Sequence, residues 1–449
     1  MPASVETTAP LPGLSPVADK PIIAAFDAEG FSASGGLLTL REIEQRLGLA
    51  PRLAAHIADP REPTQVVHPT EEIIRFRMLM IAAGYEDGND ADVLRHDPMF
   101  KLAMGRLPAG SPLCSQSTIS RLENRPDKRT LLRMGYGLID LYCDSFRQVP
   151  RRIVLDIDDH FDAAHGEQEL RVFNAHYDEH GFSPIVVFDG DGRLVGAVLR
   201  PAHRPSGREI VMLLRRLIGR LRANWPRLEI LLRGDSHYCA PEVLRFCRAN
   251  RVDFVLGVAR TSTLRRHILG LEQSTAKRFT AAGGRDKVRR FKEFYHGARS
   301  WDRVERIIAR VEAGPEGVDT RFITTSLAGG SPRAVYDKTY CQRGQMENHI
   351  KSFKRHLAAD RTSCHTASAN QMRLFLHAGA YWIMWTLRAA MPRRSSWRRM
   401  QFDTLRLLAV TLVVRVVELK QHVRLHLPAC TPDQAIFAQV LGRLPRLIY

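Results

Sequence analysis

Between residues 151 and 259 the apolar pattern changes period several times, and the order of those changes leaves few architectures open. "RRIVLDID" (151–158) and "SPIVVF" (183–188) are short β-rich runs. "DGDG" at 189–192 is a hairpin turn that leads into "RLVGAVLR". A helical pattern, "GREIVMLLRRLIGRLRANW", follows, then the strand "LEILLRGD", the helix "APEVLRFCRAN" and the strand "RVDFVLGVA". Three consecutive antiparallel strands, followed by strands reached through helical crossovers, predict a mixed sheet with helices on its faces.

That order is the one found in a ribonuclease H-like core. The expected fold class is therefore α/β, a ribonuclease H-like mixed sheet core with a β-rich insertion and flanking helical regions. At 449 residues and 44% hydrophobic composition the chain can bury a large core and divide into several domains. Residues 1–20, rich in Pro, Ala, Ser and Thr, read as a disordered leader without the basic start of a signal peptide. Residues 21–150 read as a helical, DNA-contacting domain carrying "TEEIIRFRMLMIAAGY" and "KRTLLRMGYGLIDLYCDSF". The start of "CSQSTISRLENR" could meet phosphates there. The core then runs over 151–259, is interrupted by a basic β-rich insertion at 260–326, and resumes in the helices of 327–390. Residues 391–449 are expected as a basic helical tail.

Charge narrows the partner. With 66 Lys and Arg against 48 Asp and Glu the net charge is +18, which favours a polyanion. The absence of an 18-residue uncharged apolar run argues for nucleic acid over membrane. Seven cysteines, odd in number and without zinc spacing, imply reduced thiols in a cytosol.

The segment "YCQRGQMENHIKSFK" (340–354) carries the sharpest pattern. On an ideal helix Tyr340, Arg343, Glu347 and Lys354 fall at roughly 0°, 300°, 340° and 320°, one stripe about 60° wide. Met346, Ile350, Phe353 and Leu357 form a neighbouring apolar stripe that packs. One helix thus presents an acid flanked by phosphate-reading cations. Two strand ends add carboxylates. Alternation in "IVLDIDDHFD" sends Asp156 and Asp158 to one face of the strand, and "LLRGDSHY" ends a strand at Asp235 after a permissive Gly234. Asp158, Asp235 and Glu347 lie 77 and 112 residues apart, yet this strand order can bring them together. Three hard oxygen donors suit Mg²⁺ or Mn²⁺ rather than zinc. Two such ions about 4 Å apart serve in-line phosphodiester cleavage. Asp158 is the better bridging ligand, with Asp156 and Asp159 as alternates.

These residues resemble the DDE-type bacterial insertion-sequence transposases marked by Tyr, two residues, Arg, three residues, Glu, six residues, Lys. That signature stands in full at Tyr340, Arg343, Glu347 and Lys354, with further similarity in "LDIDD", "HG" at 165–166, "RGDSHY" and "DRTS" at 360–363. The resemblance implies a catalytic, metal-binding triad of Asp158, Asp235 and Glu347 holding two Mg²⁺ ions. It also implies Tyr340, Arg343 and Lys354, with Lys351, on the phosphates of transposon-end DNA. Relatives bind terminal inverted repeats, nick the ends, often open the second strand through a hairpin, and join the 3′ hydroxyl to target DNA as a synaptic homodimer. The implied location is a bacterial cytoplasm, on DNA.

Two positions depart from the family pattern, His160 where Thr is usual and His237 where Gly is usual, and both put bulk beside the metals. Histidines 160, 165, 176, 180, 203 and 237 lack ligand spacing and read as structural or phosphate-contacting. Trp301 and Phe322 read mainly as core, with base stacking as the sharper possibility. The insertion and "RRSSWRR" offer sequence-tolerant backbone contacts, since residues 388–449 hold 11 Lys and Arg against 3 Asp and Glu. The alternatives are a nuclease of the same fold and an inactive or domesticated DNA-binding protein, the latter disfavoured by the intact carboxylates.

Overall fold

A computed structural model describes residues 13–447, so most of the expected leader lies outside the described residues. The central sheet has eight strands: β1 (Arg152–Asp159), β2 (Ile185–Asp189), β3 (Leu194–Val198), β4 (Glu229–Gly234), β5 (Val252–Val258), β6 (Val288–His296), β7 (Glu305–Gly314) and β8 (Gly317–Thr325). Their spatial order is β6-β7-β8-β5-β4-β1-β2-β3. β1, β4 and β5 run parallel, while β2 and β3 run antiparallel beside β1. Within it β3-β2-β1-β4-β5 is the ribonuclease H-like core. The two parallel steps need crossovers, supplied by helices α3 (Gly207–Asn224) and α4 (Pro241–Ala249).

Local chemistry explains both helices. Ser206 and Glu209 form a reciprocal capping box at the start of α3, and Pro241 opens α4 where its missing N–H costs nothing. Ile210, Leu214, Leu217, Ile218 and Leu221 of α3 recur at helical spacing and are buried on the sheet. Alternate residues of β4 and β5 feed opposite layers. Ile230, Leu232, Phe254 and Leu256 join the main core; Leu231 and Val255 face Val335 and Tyr336 on the other side.

Residues 260–326 do not form a separate β module. β8 pairs antiparallel with β5, so the insertion extends the core sheet outward through β7 to β6. Helix α5 (Leu269–Ala281) packs against β7. Phe322 is 2% exposed in that interface and Trp301 packs against it, which assigns both to packing rather than to base stacking. Residues 391–449 are also less purely helical than expected. Strands Val414–Glu418 and Val423–His426 pair with each other, and the first pairs with Phe31–Ser32, so the two ends of the described chain share a small sheet.

Helix α7 (Ala367–Ala390) is buried on nearly all sides. Tyr381 donates to the carbonyl of Gly192 (2.8 Å), Trp382 to that of Leu194 (3.1 Å), and Gln371 accepts from the Leu199 N–H (2.8 Å). Those bonds cover edge strand β3. On its other side α7 meets α1 (Thr70–Ala83), the central helix of the N-terminal region, which also holds α2 (Lys128–Asp144). A buried charge cluster sits at this junction: Glu123, 1% exposed, accepts from Arg373 (2.8 Å) and lies 3.6 Å from Arg77. Among the described residues no helix is long and apolar enough to cross a membrane.

Glu123→Gln keeps the shape of this side chain but leaves two interior guanidinium groups without their counter-charge. The expected loss is about 3–5 kcal/mol of unfolding free energy at neutral pH, read by urea titration. A loss below about 1 kcal/mol would show that the cluster does not lock the N-terminal region to the core.

Candidate active site

β1 delivers its acids as alternation requires: Leu155 and Ile157 are fully buried in the main core, and Asp156 and Asp158 face the opposite layer. Their fates differ. Asp156, 3% exposed, is opposite Arg233 in the β1–β4 register and receives both prongs of its guanidinium at 2.7 Å. Arg233 also donates to the carbonyl of Thr339 (2.7 Å), which ties the segment above the sheet to β4. The Asp156 carboxylate is thereby spent on a buried ion pair.

Asp158 accepts the Asp159 N–H (3.1 Å) and an Arg343 guanidinium N–H at 2.5 Å. Burial pushes its carboxyl up to about 7, with Asp235 and Asp159 adding to the rise and Arg343 opposing it. Burial costs the carboxylate more than one guanidinium returns, while the same pairing raises the pKa of Arg343. Asp235 leaves β4 after Gly234, which is closely packed: an added Cβ would lie 3.0 Å from Tyr238 and 3.2 Å from Ile157, so both would have to shift. Asp235 accepts the His237 N–H at 2.8 Å. On neighbouring β5, a Cβ at Gly257 would meet both the Ser236 N–H nitrogen and the Tyr340 hydroxyl at 2.9 Å. Gly257 thus makes room for Tyr340 above the Asp235 turn, and burial raises the Tyr340 phenol pKa.

The segment from 334 to 356 is helical throughout but not ideally wound. Ala334–Tyr340 is a π-helix, Cys341–Gly344 a 3₁₀ turn, Gln345–Lys351 an α-helix (α6) and Ser352–His356 π again. A 3₁₀ turn advances about 120° per residue and a π turn less than an α turn, so phase slips along the segment and one stripe becomes several directions. Tyr340 and Arg343 meet the strand-end acids. Glu347 is exposed and has no hydrogen-bond or ion-pair partner among the described residues. Lys354 donates to the Phe161 carbonyl and lies 3.4 Å from Asp162, which is fully buried. Lys351 is exposed and donates to Gln401 (3.2 Å). The apolar stripe packs as its spacing requires, with Met346, Phe353 and Leu357 at 0–1% exposure and Phe353 edge-on to Tyr381.

The structure therefore brings Asp158, Asp235, Arg343 and Tyr340 together. Asp156 is committed to Arg233, Lys354 to Asp162, and Glu347 stands outside this contact set. Among the described residues no group of three or more His, Cys, Asp or Glu side chains is placed to hold a metal ion. As donors, the Asp158 and Asp235 carboxylates have the hard-oxygen chemistry of a Mg²⁺ or Mn²⁺ site. His160 is buried against Asp162 (3.3 Å) and edge-on to Phe353; His237 is half exposed with its ring 3.9 Å from Asp235. His160, His176, His203 and His237 line a cavity of about 600 Å³ beside Asp159, together with Phe173 and Tyr177. Arg233, Tyr238, which donates to Asp159 (2.8 Å), and Asp162 are site residues that sequence spacing does not reveal. The Arg in "LLRGD" facing an Asp of "LDID" was the one available signal.

A carboxyl titrating near 7 when folded and near 3.8 when unfolded holds its proton more tightly in the native state. Its contribution to stability is neutral below about pH 4, falls as pH rises to 7, and costs roughly 4 kcal/mol above that. Urea unfolding in chelator-containing buffer should show this decline in the wild type and its loss in Asp158→Asn; parallel pH profiles would refute the assignment.

The sequence comparison covers nearly the whole chain: residues 14–449 match the family model described as Transposase DDE domain group 1. No curated protein matches. Among solved structures, the cryo-electron microscopy structure of the piggyBac transposase synaptic complex with hairpin DNA is similar at 9% identity and a TM-score of 0.42, over 83% of this chain and 79% of that one. Because the family model spans residues 14–449, the chain belongs to the group 1 family of DDE-domain transposases.

Proposed function

We propose that this chain is the transposase of a bacterial insertion sequence, working on DNA in the cytoplasm: it binds the element's terminal inverted repeats, cleaves the ends and joins the 3′ hydroxyl to target DNA. The observation that carries the reading is the meeting of Asp158 and Asp235 at adjacent strand ends with Arg343 and Tyr340 of the signature segment over them. Asp158, Asp235 and Glu347 would hold two Mg²⁺ or Mn²⁺ ions, Glu347 following Arg343 by one helical turn, about 6 Å along the axis. When bound, such a pair supplies Lewis-acid activation of the attacking oxygen and charge neutralisation at the leaving oxygen.

The chain's own groups do the rest. Arg343 exchanges the Asp158 carboxylate for a backbone phosphate, which both fixes the strand and frees the carboxylate. Tyr340, held above the Asp235 turn, orients the strand, and Lys351 meets a neighbouring phosphate. Lys354 stiffens the site from its contact with Asp162 and reaches DNA from there. Asp156 is retained as a structural partner of Arg233, not as a first choice of metal ligand. Two copies act together on paired ends in a homodimeric synaptic complex.

An inactive DNA-binding protein is the competing reading, favoured by the exposed, unpartnered position of Glu347. End-containing DNA with Mg²⁺ separates the readings: cleavage and strand-transfer products support transposition, cleavage alone identifies a nuclease, and neither leaves only binding. Glu347→Gln should remove both products, a loss of at least about 10³-fold, while retaining end binding. Arg343→Gln should weaken end binding and lower its salt slope by about 1. Persistent cutting by Glu347→Gln, with binding lost, would reverse the assigned roles.

A further inference from the structure

Helix α6 has a second working side. A cleft of about 590 Å³ opens between α6, the last turns of α7, the β2–β3 turn and residues 398–401. Lys351, Arg388, Arg398 and Arg399 line it, and none has an acidic partner among the described residues. The one acid in the lining, Asp191, is largely exposed, lies 2.9 Å from Arg193 and offsets only part of the repulsion on Arg398. Arg388 lies over the Phe402 ring at 4.7 Å, a contact that shields the cation without cancelling its charge. Burial lowers the pKa of both Arg388 and Arg398, and Arg398 is further repelled by Arg388, Arg393 and Arg443. His349, in the same wall, is pushed down to about 4 by burial and by Arg388, so it adds a neutral ring.

Cations gathered in a partly desolvated cleft in excess of its one acid are costly, and an anion relieves the cost. Gln345, Asn348, Gln401 and Ser352 add uncharged hydrogen-bonding groups around the same space, a mixture that suits phosphate oxygens better than carboxylates buried in apolar walls. Lys351 stands one turn beyond Glu347, about 6 Å along the axis, at the mouth of the cleft. A strand held at Glu347 therefore reaches Lys351 with its next phosphates. We propose that this cleft receives the phosphodiester backbone of the nucleic-acid strand leaving the carboxylates, gripped by Arg388, Arg398 and Arg399. The direction of the strand rests on the reading of the carboxylates given above; the anion chemistry of the cleft does not.

The test is the salt dependence of binding, by fluorescence anisotropy, of a labelled duplex of arbitrary sequence in EDTA. Arg398→Gln/Arg399→Gln should weaken binding about tenfold and lower the slope of log K against log salt by about 2. Arg398→Lys/Arg399→Lys should restore most of the slope, which separates charge from folding. An equal charge loss at Arg215 of α3 and Arg227 in the turn that follows it, Arg215→Gln/Arg227→Gln, should leave it unchanged. A slope for Arg398→Gln/Arg399→Gln equal to the wild type overturns the proposal. So does a cleft that binds inorganic tripolyphosphate, with that binding lost in the Gln pair while duplex binding is untouched: the occupant is then a free polyphosphate. A wild type that cuts no end DNA with Mg²⁺, yet still differs from the Gln pair in slope, supports the cleft and overturns only the transposition reading.

Discussion

The ion pair between Asp156 and Arg233 governs how this molecule is assembled. It joins neighbouring strands β1 and β4 inside a layer where neither charge meets water, and its third hydrogen bond reaches Thr339. A buried pair of this kind adds little net stability, but removing either member is expensive, so its geometry is enforced. Because Thr339 directly precedes Tyr340 and stands four residues before Arg343, the pair also sets where the signature segment lies over the sheet. Asp158, two residues along the same strand face, is then within reach of Arg343, and Asp235, at the end of the adjacent strand, is close enough to raise the Asp158 pKa.

Within that frame, three charged residues of one signature take three different roles. Arg343 is drawn inward to a carboxylate whose burial makes it basic. Lys354 is drawn to Asp162 and the Phe161 carbonyl in the loop after β1. Glu347 remains in solvent. The irregular winding of residues 334–356 makes this separation possible, since π and 3₁₀ turns reset the direction of successive side chains without breaking the helix. Such turns cost hydrogen-bond geometry and persist where the surroundings impose them; here Met346, Phe353 and Leu357 pin one side to the core while Arg233 and Asp158 hold the other.

The order of strands and helices was legible because it depends on local periodicity: alternation in "RRIVLDID", helical spacing in "GREIVMLLRRLIGRLRANW", and a Gly-rich hairpin turn between β2 and β3. The continuation of the sheet into β6–β8 was not, because a basic stretch such as "KRFTAAGGRDKVRRFKEF" reads the same whether its strands pair among themselves or with β5. The pairing is a property of the partner edge. The small sheet shared by Phe31–Ser32 and Val414–Glu418 was hidden for the same reason.

What the amino-acid order determined alone was the element sequence, the excess of positive charge and the spacing of Tyr340, Arg343, Glu347 and Lys354, all set within a few residues of each position. Only the tertiary structure decided which acids are neutralised: Asp156 and Asp158 look alike on one strand, but the first meets Arg233 from 77 residues away and the second Arg343 from 185 residues away. It likewise decided that Arg388, Arg398 and Arg399 share a cleft in which Asp191 is the one acid. Charge is a local property of the chain, whereas its compensation depends on strand register and helix phase, and these are established only when distant segments pack.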